Sequence, residues 1–393
     1  MKQWIKFSIV ALLYVLFIVW VGNYWWLFLL PFIFDIYITK IIPWTFWKKT
    51  KNKHLYTLFS WIDAILFALV AVYFINLYIF QNYQIPSSSL EKSLLVGDFL
   101  YVSKVSYGPR VPMTPLSMPL TQHTLPGTRD TKSYIEWPEW EYKRLAGLDT
   151  IHAMDIVVFN FPAGDTVATY QQNPDYYSLC AQVGANSLMR FGLNVKLPQQ
   201  VCMAEGRKII KSNPEQFGRV LCRPVDRREN YVKRCVGLPG DSLQIIDNNI
   251  YINGSAIKEP ENKQLNYFVE TDGRSISDKQ FDEIGVSVDD RTRMPMASGQ
   301  YNPVFYVPLT AKMADKMKSL PNVKKMTVDP GVFSGQVFPA GKYYPESYKG
   351  WTRDNYGPIY IPRKGATTEL TIDNLPLYER IIKNYEGNTL EVR

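Results

Sequence analysis

Three apolar runs open the chain: Phe7–Val21, then Tyr24–Ile38 after Gly22-Asn23, then Leu58–Phe80. A helix that crosses a bilayer needs roughly 20 apolar residues, with a lower limit near 17. The third run meets that length. The first two are shorter and predict a tight helical hairpin about Gly22-Asn23, with Trp20, Trp25 and Trp26 at the membrane interface. Lys40, Lys48, Lys49, Lys51 and Lys53 crowd the stretch between the second and third runs, and no acidic residue lies between Asp35 and Asp63. Short lysine-rich loops stay on the cytoplasmic side. Loop 40–53 and the N-terminus are therefore expected inside, and everything from Gln81 onward outside. Residues 1–80 read as an anchor of about three transmembrane helices in the cytoplasmic membrane, and 81–393 as an extracytoplasmic domain.

Beyond Gln81 the pattern turns to strands. "DIVVFNF" (Asp155–Phe161) is rich in β-branched residues and is followed by Pro162 and Gly164. "YVKRCVGL" (Tyr231–Leu238) stops at Pro239-Gly240-Asp241. "SLQIIDNNIYINGSAI" reads as a hairpin with its turn at Asp247-Asn248-Asn249 and a second turn at Asn253-Gly254. The proline-rich stretch from Pro109 to Pro138 predicts a loop or extended arm. Trp137 and Trp140, in and beside it, are expected to dock at the outer bilayer surface or to pack on the β core. Residues 163–228 and 260–350 read as mixed insertions on a mainly β domain of antiparallel sheets. Near the end, Tyr378, Ile381, Ile382 and Tyr385 share one helix face, with Asp373 or Asn374 as cap and Gly387 as stop. "NTLEV" then starts a strand, so the chain is expected to break off inside a hairpin.

Charge changes this picture little. The 393 residues carry a formal +8, but residues 1–80 hold seven lysines, no arginine and two aspartates. Most of the excess thus belongs to the anchor, and nucleic acid is excluded as a partner by the absence of any basic run beyond it. Cys180, Cys202, Cys222 and Cys235 all fall in the external part, where disulfides are permitted. Cys180 and Cys202 can pair, but three pairings exist, four free thiols fit equally well, and the sequence does not choose.

The chemistry lies in "QNYQIPSSSLEKSLLVGDFLYVSK" (Gln81–Lys104), a serine cluster just outside the third apolar run. Serine hydrolases commonly use a histidine base. Of the three histidines, His54 falls on the cytoplasmic side, and His123 and His152 stand in plain loop contexts. No His-Glu-x-x-His pattern is present, so a zinc protease is not indicated and no metal or cofactor is expected. A lysine can be the base if burial depresses its pKa. Lys233, inside an apolar strand, is the candidate. In a strand Lys233 and Arg234 point to opposite faces, so one cation can turn inward while the other stays solvated or paired.

"IPSSSLEKSLLVGDFLYVSK", "DIVVFNFPAGD" and "YVKRCVGLPGD", in this order behind apolar spans, resemble type I signal peptidases. The resemblance covers the anchor and these blocks, and it implies a membrane-bound serine endopeptidase that removes signal peptides from exported proteins with a Ser/Lys dyad. By it Ser89 is the nucleophile, through the Pro-Ser-x-Ser register of Pro86-Ser87-Ser88-Ser89, and Lys233 the general base. Ser87 matches the hydroxyl that joins the Ser89 amide in the oxyanion hole. Ile85, Leu90, Leu94, Tyr231 and Val232 match positions lining shallow pockets for the small residues of an Ala-x-Ala cleavage signature. Signal peptides, the lipid bilayer and the export machinery are the implied partners. Leu90 replaces the family's methionine and Lys92 its proline. The family's Gly-Asp-Asn-Arg and Ser-x-Asp-Ser-Arg block, which orients the lysine, is not found; "TRDNYGPIYIP" (Thr352–Pro362) lacks the serines to be it. That leaves an inactive, membrane-anchored peptide-binding homologue as the alternative.

Overall fold

The computed structural model describes residues 1–190, 199–294, 304–330, 337–339 and 350–391. Helix α1 (Lys2–Val21) ends at Gly22, whose left-handed φ of 67° lets its amide close onto Ile18 O at 2.7 Å. The second apolar run doubles back. Tyr14 Oη donates to Trp26 O at 2.6 Å, and at the far end Phe34 packs edge-on against Phe7, 5.2 Å between centroids. The expected hairpin is therefore present, but its second arm is not a third full-length helix. It passes through a 3-10 stretch (Tyr24–Leu29), a short α stretch holding Pro31 (Leu30–Phe34) and a wide π turn (Asp35–Thr39). The Asp35 carboxylate draws the chain out of helical geometry by accepting from Thr39 Oγ1, the Ile41 and Ile42 amides and Trp44 Nε1. Two helices among the described residues are long and apolar enough to cross a membrane, α1 and α2 (Lys53–Tyr78). Helix α2 is started by Asn52, whose side chain accepts from the His54 amide at 2.9 Å.

A small apolar joint ties these helices to the rest of the chain. Val21 and Tyr78 pack with Val111 and Leu145, and Lys143 Nζ donates to Val21 O at 3.0 Å. Trp140 lies in the joint, edge-on to Trp26 at 6.3 Å, while Trp137 is 81% exposed. The two tryptophans thus part: one packs, the other meets solvent.

Every strand pair among the described residues is antiparallel, as the alternating patterns predict. Strand β1 (Phe80–Gln84) pairs with β2 (Phe99–Ser103), and β3 (Ile156–Asn160) with β4 (Asn230–Arg234). Strands β5 (Ser242–Ile246) and β6 (Asn249–Ile252) form the expected hairpin; Tyr356–Tyr360 joins β5 on its other side. The turn is two residues, Asp247 and Asn248, both at positive φ, so Asn249 opens β6 rather than closing the turn. Asn253-Gly254, both at positive φ, makes the second turn.

The first insertion is mostly helical. Helices α3 (Tyr176–Arg190) and α4 (Gln199–Ser212) cross closely at Gly184 and Gly206; a Cβ at Gly184 would fall 1.8 Å from Cys202 O. Cys180 and Cys202 are buried around this crossing, and all four cysteines are free thiols. The second insertion has a core of its own. Strands β7 (Gln264–Thr271), β8 (Val304–Thr310) and β9 (Val323–Val328), with β7 central, carry α5 (Asp278–Ile284) and α6 (Ala311–Lys318). Val269, Phe281, Phe305, Val307, Leu309 and Met317 fill the space between them.

The C-terminal helix runs over Leu375–Arg380 and widens into a π turn to Tyr385, with Gly387 at φ 68° just beyond. Asn374 holds the cap position but spends its carbonyl on the Thr371 amide, at 2.8 Å. The expected strand from Thr389 is not formed over Thr389–Glu391; Val392 and Arg393 lie outside the described residues.

Beyond the joint, Lys104 follows β2, half-buried with its ammonium over the Tyr83 ring. Burial, with Arg110 and Arg144 close by, pushes its pKa down from 10.5 to about 8. The unfolded chain holds this proton up to about pH 10.5, the folded chain only to about 8. Stability from this site is therefore fully present above the higher value and is lost as pH falls through the lower. Lys104→Met is expected to stabilise the protein at pH 7, by at most about 3 kcal/mol, and progressively less toward pH 11. Thermal unfolding in detergent across that range measures it; a pH-independent difference would contradict the assignment.

Candidate active site

Strand β1 gives way at Ile85-Pro86, where proline has no amide for the ladder. The following loop is closed at its base: the Ile85 amide donates to Asp98 O at 3.0 Å and the Gly97 amide to Ile85 O at 2.9 Å. Asp98 also accepts from the Leu95 amide at 2.8 Å. Within this loop Ser88–Leu90 form one 3-10 turn. The Glu91 amide closes it on Ser88 O at 2.9 Å, so the amides of Ser88, Ser89 and Leu90 come before its first internal bond and point out of its N-terminal end. Ser87 precedes the turn in extended conformation, exposed.

Strand β4 brings the cation. Its register with β3 sets Lys233 opposite Val157 and Tyr231 opposite Phe159, so these four side chains share one face. Lys233 Nζ donates to Ser89 Oγ at 2.5 Å, across 144 positions of sequence. The strand is fixed at its end by Asp155. Its backbone O accepts from the Cys235 amide at 2.8 Å, and its carboxylate accepts from Tyr107 Oη at 2.6 Å. That Tyr107 bond, with the His152 amide, holds Asp155 below the usual carboxylate range and pushes Tyr107 up to about 12.

Lys233 is exposed, and Arg234, on the opposite face, is half-buried with Nη1 donating to Met154 O at 2.9 Å. The two-stranded β3–β4 sheet leaves the lysine's face open among the described residues. Histidine is committed elsewhere: His123 Nε2 pairs with Glu229 at 2.9 Å, and His152 lies 3.9 Å from Asp155.

The other expected site residues divide. Ile85 is 3% exposed. Leu90 and Leu94 are half-buried, joined by the Leu94 amide donating to Leu90 O at 2.8 Å. Tyr231 stacks on Phe161 at 4.4 Å, on the Lys233 face. Strand alternation turns the Val232 side chain to the face opposite that of Lys233, across from Val158. "TRDN" is far from playing the missing block's part. The Asn248 amide donates to Asp354 O at 2.9 Å and the Asp247 amide to Asn355 Oδ1 at 3.1 Å, so this segment braces the β5–β6 turn.

What sequence reading missed is the second insertion's approach. A cleft of about 330 Å³ is lined by Ser88 and Ser89 on one side and by Gln264, Asn266, Asp289, Asp290 and Tyr306, among others, on the second. Lys92, at φ 66°, sends Nζ to Gly285 O at 3.1 Å and receives Asn262 Nδ2 on its own carbonyl at 2.8 Å. The departure from proline at Lys92 was the available signal. Its partners, 170 and 193 positions away, had none.

The family described as signal peptidase, peptidase S26, matches residues 58–350. Among curated proteins, the signal peptidase I of Rickettsia conorii (strain ATCC VR-613 / Malish 7) is 30% identical over 142 residues, covering 36% of this chain and 50% of that protein. That of Rickettsia canadensis (strain McKiel) is 31% identical over 140 residues, covering 35% and 49%. That of Rickettsia akari (strain Hartford) is 33% identical over 104 residues, covering 26% and 37%. The chain thus spans about half the length, or less, of these relatives. No solved structure matches it.

Proposed function

The chain belongs to the S26 signal peptidase family, and from that premise we propose that it is a membrane-bound serine endopeptidase that cleaves signal peptides from exported proteins with a Ser89/Lys233 dyad. The 2.5 Å approach of Lys233 Nζ to Ser89 Oγ is the observation that carries the reading. In the free-amine form that bond reverses. The hydroxyl donates to nitrogen, and the amine takes the proton as Oγ attacks the carbonyl carbon of the scissile bond. The oxyanion then meets the Ser89 amide at the open end of the 3-10 turn, joined by the Ser87 hydroxyl, donors worth a few kcal/mol in such sites. The ammonium of Lys233 returns the proton to the departing amine. A water, deprotonated by the same lysine, hydrolyses the acyl-enzyme and restores Ser89.

The substrate enters extended. β4 has no strand partner on its second edge among the described residues, and such an edge accepts a peptide by main-chain hydrogen bonds. Ile85, Leu90, Leu94 and Tyr231 offer the apolar ground for small side chains next to the cut. The two apolar helices, with the lysines of loop 40–53, support a multi-pass anchor in the cytoplasmic membrane with the site outside. Ser89, only a few residues beyond β1, then meets its substrate close to the bilayer. Export machinery as a partner remains an expectation of this reading. A catalytically silent peptide-binding homologue is not favoured.

The test is cleavage of a purified preprotein by the full chain in detergent, read by mass spectrometry. A single cut after an Ala-x-Ala segment is expected. Replacing the substrate's last alanine by tryptophan should block it. A folded chain that leaves the preprotein intact, or cuts both substrates alike, would refute the assignment.

A further inference from the structure

The position three residues after Ser89, where the family resemblance expects proline, holds Lys92 in the left-handed region, at φ 66°. Proline is locked near φ −65° and cannot occupy it, and a side chain other than glycine stays there only when its surroundings insist. The surroundings here are the second insertion. Gly285 terminates α5 at φ 96°, and its carbonyl, at the negative end of that short helix, takes the Lys92 ammonium at 3.1 Å. Asn262, just before β7, donates to the Lys92 carbonyl at 2.8 Å. The segment carrying Asn262 is itself held, since Lys263 Nζ bonds Glu259 at 2.6 Å. Two contacts from separate ends of one independently cored subdomain therefore grip the residue directly behind the 3-10 turn, and the same subdomain supplies the second wall of the cleft at Ser89.

We propose that this insertion positions the nucleophile: Asn262 and Gly285 hold Lys92, and through it the Ser88–Leu90 turn, so that Ser89 Oγ meets Lys233 Nζ. Lys92 and Asn262 are positioning residues; neither touches the reacting atoms. The inference rests on the Ser89/Lys233 reading. It explains why proline is absent at this position: the turn's geometry comes from a distant clamp instead of a rigid ring.

The test compares kcat, KM and thermal midpoint for the full chain in detergent on one preprotein. Asn262→Ala and Lys92→Gly each remove one contact and should lower kcat about tenfold at nearly constant KM, because misplacement of reacting groups falls on the chemical step. Lys92→Pro, which also abolishes the left-handed turn, should lose about a hundredfold. Lys92→Arg keeps a donor for Gly285 O and should recover most of the rate. Should Lys92→Pro fail to fold, Asn262→Ala and Lys92→Gly decide. Wild-type kcat in those two variants overturns the proposal, as does a raised KM at unchanged kcat, which would make the segment a substrate contact. Ser89→Ala runs alongside: activity there refutes the nucleophile assignment itself, whereas a dead Ser89→Ala beside unaffected Asn262 and Lys92 variants refutes only the clamp.

Discussion

Ser89→Ala is expected to lower preprotein cleavage by at least about a thousandfold, while Ser88→Ala, one residue away, keeps most of the activity. Three adjacent serines share this segment, and composition does not separate them. Geometry does. Only the Ser89 hydroxyl meets Lys233 Nζ, at 2.5 Å. Ser88 serves the turn through its backbone, whose carbonyl closes onto the Glu91 amide at 2.9 Å, and alanine keeps that bond. Its methyl group also suits a helical turn. The measurement is initial rate on a single preprotein in detergent, with thermal midpoints to certify folding. A dead Ser88→Ala beside an active Ser89→Ala would move the nucleophile by one residue and detach it from Lys233.

How much of this was legible in the sequence depends on the range of the interactions. The Asp247-Asn248 turn is set by the residues in it, because both adopt positive φ, and the hairpin around it was readable. The faces of β4 followed from strand alternation alone, and so did the opposition of Lys233 to Arg234. The same rule, applied one residue further, places the Val232 side chain on the face opposite Lys233. Which face is covered is another matter, because burial depends on what packs above a strand. Here the half-buried cation is Arg234 and the open one is Lys233. The second apolar run misled on length: its apolar character is plain, but Pro31 and the demands of the Asp35 carboxylate break it into three kinds of turn. Whether Cys180 and Cys202 pair was left open by the sequence; both are free, and the nearby Gly184 and Gly206 let α3 and α4 approach to backbone contact. The grip on Lys92 was illegible because it joins positions 92, 262 and 285, and no local pattern records that meeting.

Lys233→Arg is expected to be nearly as inactive as Lys233→Ala, both down by about a thousandfold. A mere requirement for positive charge beside Ser89 predicts the reverse, since arginine would preserve it. The proposed chemistry needs a nitrogen lone pair. An amine presents one once its proton is gone, whereas a guanidinium keeps its protons throughout the accessible range and has no acceptor. A substrate docked along the open edge of β4 would exclude water from the dyad. The wild-type rate should therefore climb as pH rises, following the free-amine fraction, and the residual rates of both variants should lack that climb. A small primary amine added to Lys233→Ala should restore part of the activity, more at higher pH, and should do nothing for Lys233→Arg, where the side chain still fills the space. Rates across pH for the three proteins, with and without added amine, make the comparison. An active Lys233→Arg enzyme would remove lysine as the base and reduce its 2.5 Å contact with Ser89 to a structural one.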